Sequence, residues 1–137
     1  MAVELVVIAA PGVRVPVPGC LRYQATDPYA VHLDCHVGPE LPITWTFARD
    51  LLATGVRTWA GTGDVCVFPS RDDAEPSVSI SLDGEAASVV LHASTARVAT
   101  FLSYTARIVP FGSESRHIDL DLLSNRLCGG EQPEAGS

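Results

Sequence analysis

The densest run of residue types able to do chemistry is His32-Leu33-Asp34-Cys35-His36. On a β-strand, alternation sets His32, Asp34 and His36 on one face, with Leu33, Cys35 and Val37 on the other. Two neutral imidazoles and a carboxylate at that spacing are suited to a divalent metal, and His92 or His117 on a neighbouring strand is the candidate fourth ligand. The plainer reading makes the polar trio the solvent face of an amphipathic strand. A structural zinc site commits four ligands and this run commits three, so the plainer reading carries more weight.

The remaining chemical candidates are weaker. Cys20, Cys35, Cys66 and Cys128 match no zinc or redox spacing and read as free, buried thiols. No Gly-x-Ser-x-Gly elbow marks a nucleophilic serine. Gly61-Thr62-Gly63-Asp64 has the outline of a phosphate loop. It lacks the lysine and the following helix, so it reads as a turn entering a strand. Asp119 and Asp121 are two apart, a spacing that does not converge on a helix, and they read as complementing a helix dipole. No catalytic, cofactor or metal residue is assigned. The residues alone imply a binding or scaffold domain without an active site, the alternative being a small-ligand or metal-binding barrel that uses His32, Asp34 and His36.

The elements that would carry these residues are mostly strands. Val3 to Ala9 is rich in β-branched residues and ends at the Pro11-Gly12 turn. Val13 to Gly19 is proline-rich and reads as an edge or an extended connector. Leu21 to Ala25 is a short strand, Tyr29 to Val37 a clear one, and Ile43 to Phe47 alternates in period two. Ala48 to Gly55 gives one or two helical turns, with Gly55 placed to end them. Asp64 to Phe68 is a strand stopped by Pro69, and Ser70 to Pro76 is an acidic loop. Ser77 to Leu82 alternates strictly into an Asp83-Gly84 hairpin turn, and Ala87 to Ala93 returns.

Ser94 or Thr95 caps a helix on which Val98, Phe101, Leu102, Thr105 and Ile108 recur at helical spacing. Pro110 to Glu114 is a loop, and Ile118 to Leu127 a second, shorter helix. The expected class is α+β, an antiparallel sheet or half-open barrel with the long helix on its apolar face. Ile43, Trp45, Phe47, Phe101 and Leu102 are the expected core anchors. One domain spans 1–128, and 129–137 is a disordered polar tail.

Composition bounds the partners. At 137 residues, folding buries about two-thirds of the chain's surface, enough for a core without staples. Sixteen acids face nine Arg and no Lys, a net charge of −7 with no basic block, which argues against nucleic acid. Arginine without lysine also points to a GC-rich source. No apolar run reaches the about 18 residues of a membrane span. The start, Met1-Ala2-Val3-Glu4, lacks the basic region of a signal peptide, so a cytoplasmic protein is expected. The helix near 94–105 carries Arg97 as its one charge. Its outer face reads equally as an ordinary small-residue surface or as a subunit or partner interface.

An ordered set of segments then resembles a known family. Asp27-Pro28-Tyr29-Ala30-Val31-His32 comes first, then Trp45-Thr46-Phe47-Ala48-Arg49-Asp50-Leu51-Leu52, Gly61-Thr62-Gly63-Asp64-Val65 and Pro69-Ser70-Arg71. Val109-Pro110 and Arg116-His117-Ile118-Asp119-Leu120-Asp121 follow. In order and spacing these resemble the SsgA-like proteins, regulators of sporulation-specific cell division in actinomycetes. The resemblance implies a Whirly-like fold, a bell-shaped homotrimer and a non-enzymatic role in the cytoplasm at the division septum. Implied partners are the tubulin-like division protein FtsZ or another SsgA-like protein, with no catalytic residues. Three positions depart from the family pattern: Trp59 stands for Pro, Cys66 for Arg and Phe68 for Trp. The central helix also lacks the family's usual charges.

Overall fold

The computed structural model describes residues 1–36, 42–70, 75–84 and 88–116. The expected Ile118–Leu127 helix, His117, Asp119, Asp121, Cys128, most of the 70–76 loop and the 129–137 tail lie outside the described residues. Seven strands form one antiparallel sheet curved into a half-barrel. They are β1 (Ala2–Ala10), β2 (Val13–Arg22), β3 (Ala30–Cys35), β4 (Ile43–Ala48), β5 (Val65–Ser70), β6 (Ser77–Asp83) and β7 (Ser88–Ser94). Their spatial order is β4-β3-β2-β1-β7-β6-β5. Helices α1 (Arg49–Gly55) and α2 (Thr95–Ile108) fill the apolar side, α1 against β5 and α2 against β6 and β7.

Period-two alternation explains which face is dry. Leu5 pairs with Val17 and Ala93, Leu21 with Leu33, and Ile80 with Leu91 and Val67, so apolar side chains stand in register across the sheet. Phe101 and Val98 of α2 and Leu52 of α1 close this layer, all fully buried. Ser94 caps α2 through its hydroxyl, which accepts from Arg97 N. Phe47 is buried, and Trp45 and Leu102 are partly buried against the same cluster. Ile43 shares their face but is 51% exposed, because it opens the edge strand opposite the last residue of β3.

The proline-rich stretch is not a connector but a strand whose side away from β1 is an open edge as far as Val17. It is the first part of β2, which continues unbroken through Leu21 to Arg22, with Pro16 opposite Val6 and Pro18 opposite Glu4. The Pro18 carbonyl points away from β1 and accepts from His36 N at 3.0 Å. The missing N–H of Pro16 falls past the end of β3, which pairs only with Gly19–Arg22, and at Pro18 the carbonyl half of the pairing is kept through His36 N. Pro69 likewise does not stop β5, which runs to Ser70, because its nitrogen lies on the outer edge of the sheet's last strand. That edge is closed by a two-way bridge in which Ala60 N donates to Val67 O and Val67 N to Ala60 O.

Gly55 ends α1 for a different reason from the one its position suggests. It does not have positive φ. A Cβ there would overlap the Val67 side chain, so glycine allows α1 to lie directly on β5.

Candidate functional site: closed polar clusters and an open helix face

The sheet brings His32 and Asp34 together but gives them other partners. Arg22 on β2 holds Asp34 with both arms of its guanidinium, Nε to Oδ2 at 2.7 Å and Nη2 to Oδ1 at 3.0 Å. Thr44 on β4 donates to Asp34 Oδ1 at 2.6 Å. The Arg22 hydrogen bonds, helped by Thr44, lower the Asp34 pKa to about 2. His32 Nδ1 lies 2.9 Å from Thr46 Oγ1, and its Nε2 3.9 Å from Asp27 Oδ2. His36 lies beyond the end of β3 and is exposed. His92 sits on β7, three strand positions from β3, or about 14 Å at strand spacing, too far to join a shared ligand shell. Among the described residues no group of three or more His, Cys, Asp or Glu is placed to hold a metal. Asp34, held by Arg22 and Thr44, is the centre of a cross-strand tie over β2, β3 and β4, and His36 takes no part in it.

The most constrained polar group is Arg49, whose side chain is completely buried. It opens α1 on the same helical face as Leu52 and Gly55, three and six residues on, so the fold turns it inward with the apolar residues. Its Nη1 reaches the C-terminus of α2, donating to Val109 O at 2.7 Å and to Thr105 O and Oγ1 at 3.3 and 3.4 Å. A cation there gives the Val109 carbonyl a partner, adds to the Val109 N bond already on Thr105 O, and opposes the negative end of the helix dipole. Nη2 pairs with Glu114 Oε2 at 2.6 Å. The other Glu114 oxygen accepts from Gly112 N at 2.9 Å, in a turn where Gly112 takes φ +92°.

Two rings flank the Arg49 guanidinium, with Phe111 4.0 Å and Tyr23 4.9 Å from its carbon to their centroids. The Arg49 pairing pulls the Glu114 carboxyl below its ordinary pKa, and desolvation raises that of the Tyr23 phenol. One arginine thus fastens α1, the end of α2 and the 110–114 turn together. The sequence reading gave Arg49 no role. The available signal was a charge set at helical spacing from Leu52 on an otherwise apolar face.

Buried Cys35 has its thiol pKa raised to about 11, chiefly by desolvation, which suits an inert core residue. Cys20, Cys35 and Cys66 are free. The three positions that depart from the family pattern form one packing unit. Trp59, 60% exposed, stacks on Phe68 with centroids 4.4 Å apart and planes 11° apart. Its Nε1 donates to Gly61 O at 3.0 Å, the carbonyl that the Cys66 thiol also approaches at 3.5 Å. The Gly61–Asp64 stretch is a turn entering β5, with Gly61 at φ +97°.

Against these closed clusters, the outer face of α2 stands open. Ala96, Arg97, Ala99, Thr100, Ser103, Tyr104 and Arg107 are all exposed. The far end of the β1–β2 ribbon is also open, running past β3 and β7 with Val13 and Val15 exposed.

A seven-stranded antiparallel half-barrel with two helices on its apolar side defines the fold class, a small α+β half-barrel. Residues 17–114 match the family model described as Streptomyces sporulation and cell division protein, SsgA. The chain belongs to that family, which is named for sporulation and division and not for a reaction. It is 47% identical over 106 residues to the sporulation-specific cell division protein SsgB of Streptomyces coelicolor, covering 77% of each chain. It is 40% identical over 133 residues to the SsgB of Frankia casuarinae, covering 96% of this chain and 92% of that one.

Two solved structures share the fold. One comes from work on SsgB mutations and longitudinal cell division during sporulation of Streptomyces coelicolor. It superposes with a TM-score of 0.82 at 41% identity, over 85% of this chain and 92% of that one. The other is an SsgA-like sporulation-specific cell division protein from Thermobifida fusca, with a TM-score of 0.85 at 37% identity over 93% of both chains. The matched region 17–114 contains Tyr23, Arg49, Phe111 and Glu114, the whole arginine cluster.

Proposed function

We propose that the chain acts in sporulation-specific cell division as a non-enzymatic adaptor, working through protein contacts at the division septum from the cytoplasmic side. Family membership supports the process. The observation that carries the mechanism is how the polar side chains are used. The Asp34 oxygens are taken by Arg22 and Thr44, and those of Glu114 by Arg49 and Gly112, while the exposed features include the open end of the β1–β2 ribbon, with Val13 and Val15, and the outer face of α2. Such surfaces suit association more than turnover. No helix of the described residues is long and apolar enough to cross a membrane.

The adaptor works as a homo-oligomer, a trimer by family analogy, formed by one domain through residue 128. The β1–β2 ribbon supports this, since it presents Val13 and Val15 beyond the reach of β3 and β7, and symmetric association covers such edges. Its direct partners are a division protein such as FtsZ or another SsgA-like protein, and not nucleic acid, because the −7 charge repels phosphate. The test is deletion of the gene in its host, alongside light scattering and direct binding of the purified chain to FtsZ and to the host's other SsgA-like proteins. Loss or misplacement of sporulation septa, an assembly larger than a monomer and one saturable partner support the reading. Normal septation in the deletion strain overturns it.

A further inference from the structure

On the outer side of α2, Arg97, Thr100, Tyr104 and Arg107 recur at helical spacing as one exposed stripe. From Arg97 to Arg107 it runs ten residues, about 15 Å. Ala96 and Ser103 flank it, small enough for another backbone to approach closely. Tyr104 is 54% exposed at its middle, and Tyr and Arg are the residue types that anchor interfaces. Arg97 spends one guanidinium nitrogen on the Ala2 carbonyl, which fixes its stem against β1. Arg107 makes no hydrogen bond or ion pair with any described residue.

The charge pattern is the second observation. None of the fourteen residues of α2 is acidic, although the chain carries sixteen acids against nine Arg. Two arginines with no acid on their own helix, on a chain of net −7, favour an acidic partner.

We propose that the outer face of α2 docks an acidic amphipathic helix of a partner protein, with carboxylates about 15 Å apart meeting Arg97 and Arg107 and aliphatic side chains between them covering Tyr104. This rests on the adaptor reading and names the partner's chemistry. A second copy of this chain does not supply that helix from its described residues. Helix α1 has seven residues with Asp50 as its one acid, and α2 has none.

The test uses the full-length chain and a fluorescein-labelled synthetic helix carrying glutamates at both ends and leucine and alanine between, with a glutamine-for-glutamate peptide as control. Anisotropy is read at rising salt. Saturable, salt-sensitive binding is expected for the acidic peptide alone. Tyr104→Ala and Arg107→Glu each weaken it by about tenfold, the scale of one interfacial contact. Arg57→Glu, an exposed arginine beyond α1, leaves it unchanged. Circular dichroism confirms that each variant is folded.

Absent binding, or equal loss in Arg57→Glu, overturns the proposal. So does a change in light-scattering mass for Tyr104→Ala or Arg107→Glu, which makes the face a subunit contact. In the host, a Tyr104→Ala/Arg107→Glu strain that septates normally while the deletion strain does not overturns this inference and leaves the adaptor reading standing.

Discussion

Glu114→Gln is expected to be the most informative single change in the fold. Both carboxylate oxygens of Glu114 accept, one from Arg49 Nη2 and one from Gly112 N. Glutamine supplies one acceptor and one amide donor, so it must turn an N–H against another donor while removing the charge that balances a fully buried guanidinium. Breaking a buried pair by neutralising one partner costs about 3–5 kcal/mol. Arg49 keeps Val109 O, Thr105 and two flanking rings, so the loss falls at the lower end, about 3 kcal/mol. For 137 residues the unfolding entropy is about 0.29 kcal/mol per degree, and the melting temperature falls by about 10 °C.

Denaturant unfolding followed by circular dichroism at neutral pH measures this. The double change Arg49→Leu with Glu114→Leu removes both charges, and its loss is smaller than the sum of the two single losses. The Glu114 pKa is lowered in the folded state, so the pair's stabilisation is present above the unfolded value, about 4.3. It is lost as pH falls through the folded value, and the gap between wild type and Glu114→Gln closes on acidification. A Glu114→Gln protein within about 0.5 kcal/mol of wild type, or strictly additive single losses, refutes the account of Arg49 as the tie between α1 and α2.

Other changes probe separate parts of the structure. Asp34→Asn lowers stability at neutral pH, and its difference from wild type, present above about pH 4, is lost as pH falls toward about 2, the folded Asp34 pKa; a difference constant with pH contradicts the Arg22 pairing. Phe101→Ala costs about 3–5 kcal/mol in a thermal melt, and an unchanged melt contradicts its burial under the sheet. Gly55→Ala, which in an open helix is favourable, destabilises here by about 1–3 kcal/mol because the new methyl meets Val67, as a chemical melt will show. His32→Ala with His36→Ala leaves the fold and the assembly mass unchanged, and elemental analysis of the purified wild type finds no stoichiometric zinc; a zinc lost on that change contradicts the tie reading of Asp34.

The parts of this fold readable from sequence are those set by local period. Strand β6 alternates without interruption, and α2 repeats Val98, Phe101 and Thr105 with a serine cap, so each element declares its dry face. What escaped depends on register between distant segments. Whether Pro16 and Pro18 break a strand turns on which backbone side β3 covers, and only the pairing of Gly19 with Cys35 settles that. Gly55 reads as a helix stop by type, but its necessity comes from Val67 on the next strand. Ile43 alternates correctly, yet the alternation cannot show that β4 lies at the sheet edge.

The arginine cluster was the hardest to see, because Arg49 and Glu114 are 65 residues apart and each looks like an ordinary surface charge. The His32, Asp34 and His36 trio failed in the opposite direction. Its spacing was legible, but the Arg22 and Thr44 partners that occupy Asp34 come from the strands on either side.

The central claim is that this protein works by being held at the site of septation through contacts with other proteins. Time-lapse imaging of a fluorescent fusion, expressed from the native locus through sporulation, tests it most directly. The account predicts that fluorescence gathers at the positions where sporulation septa form, and does so before constriction. Fluorescence that stays uniform through the cell while septa form normally contradicts it.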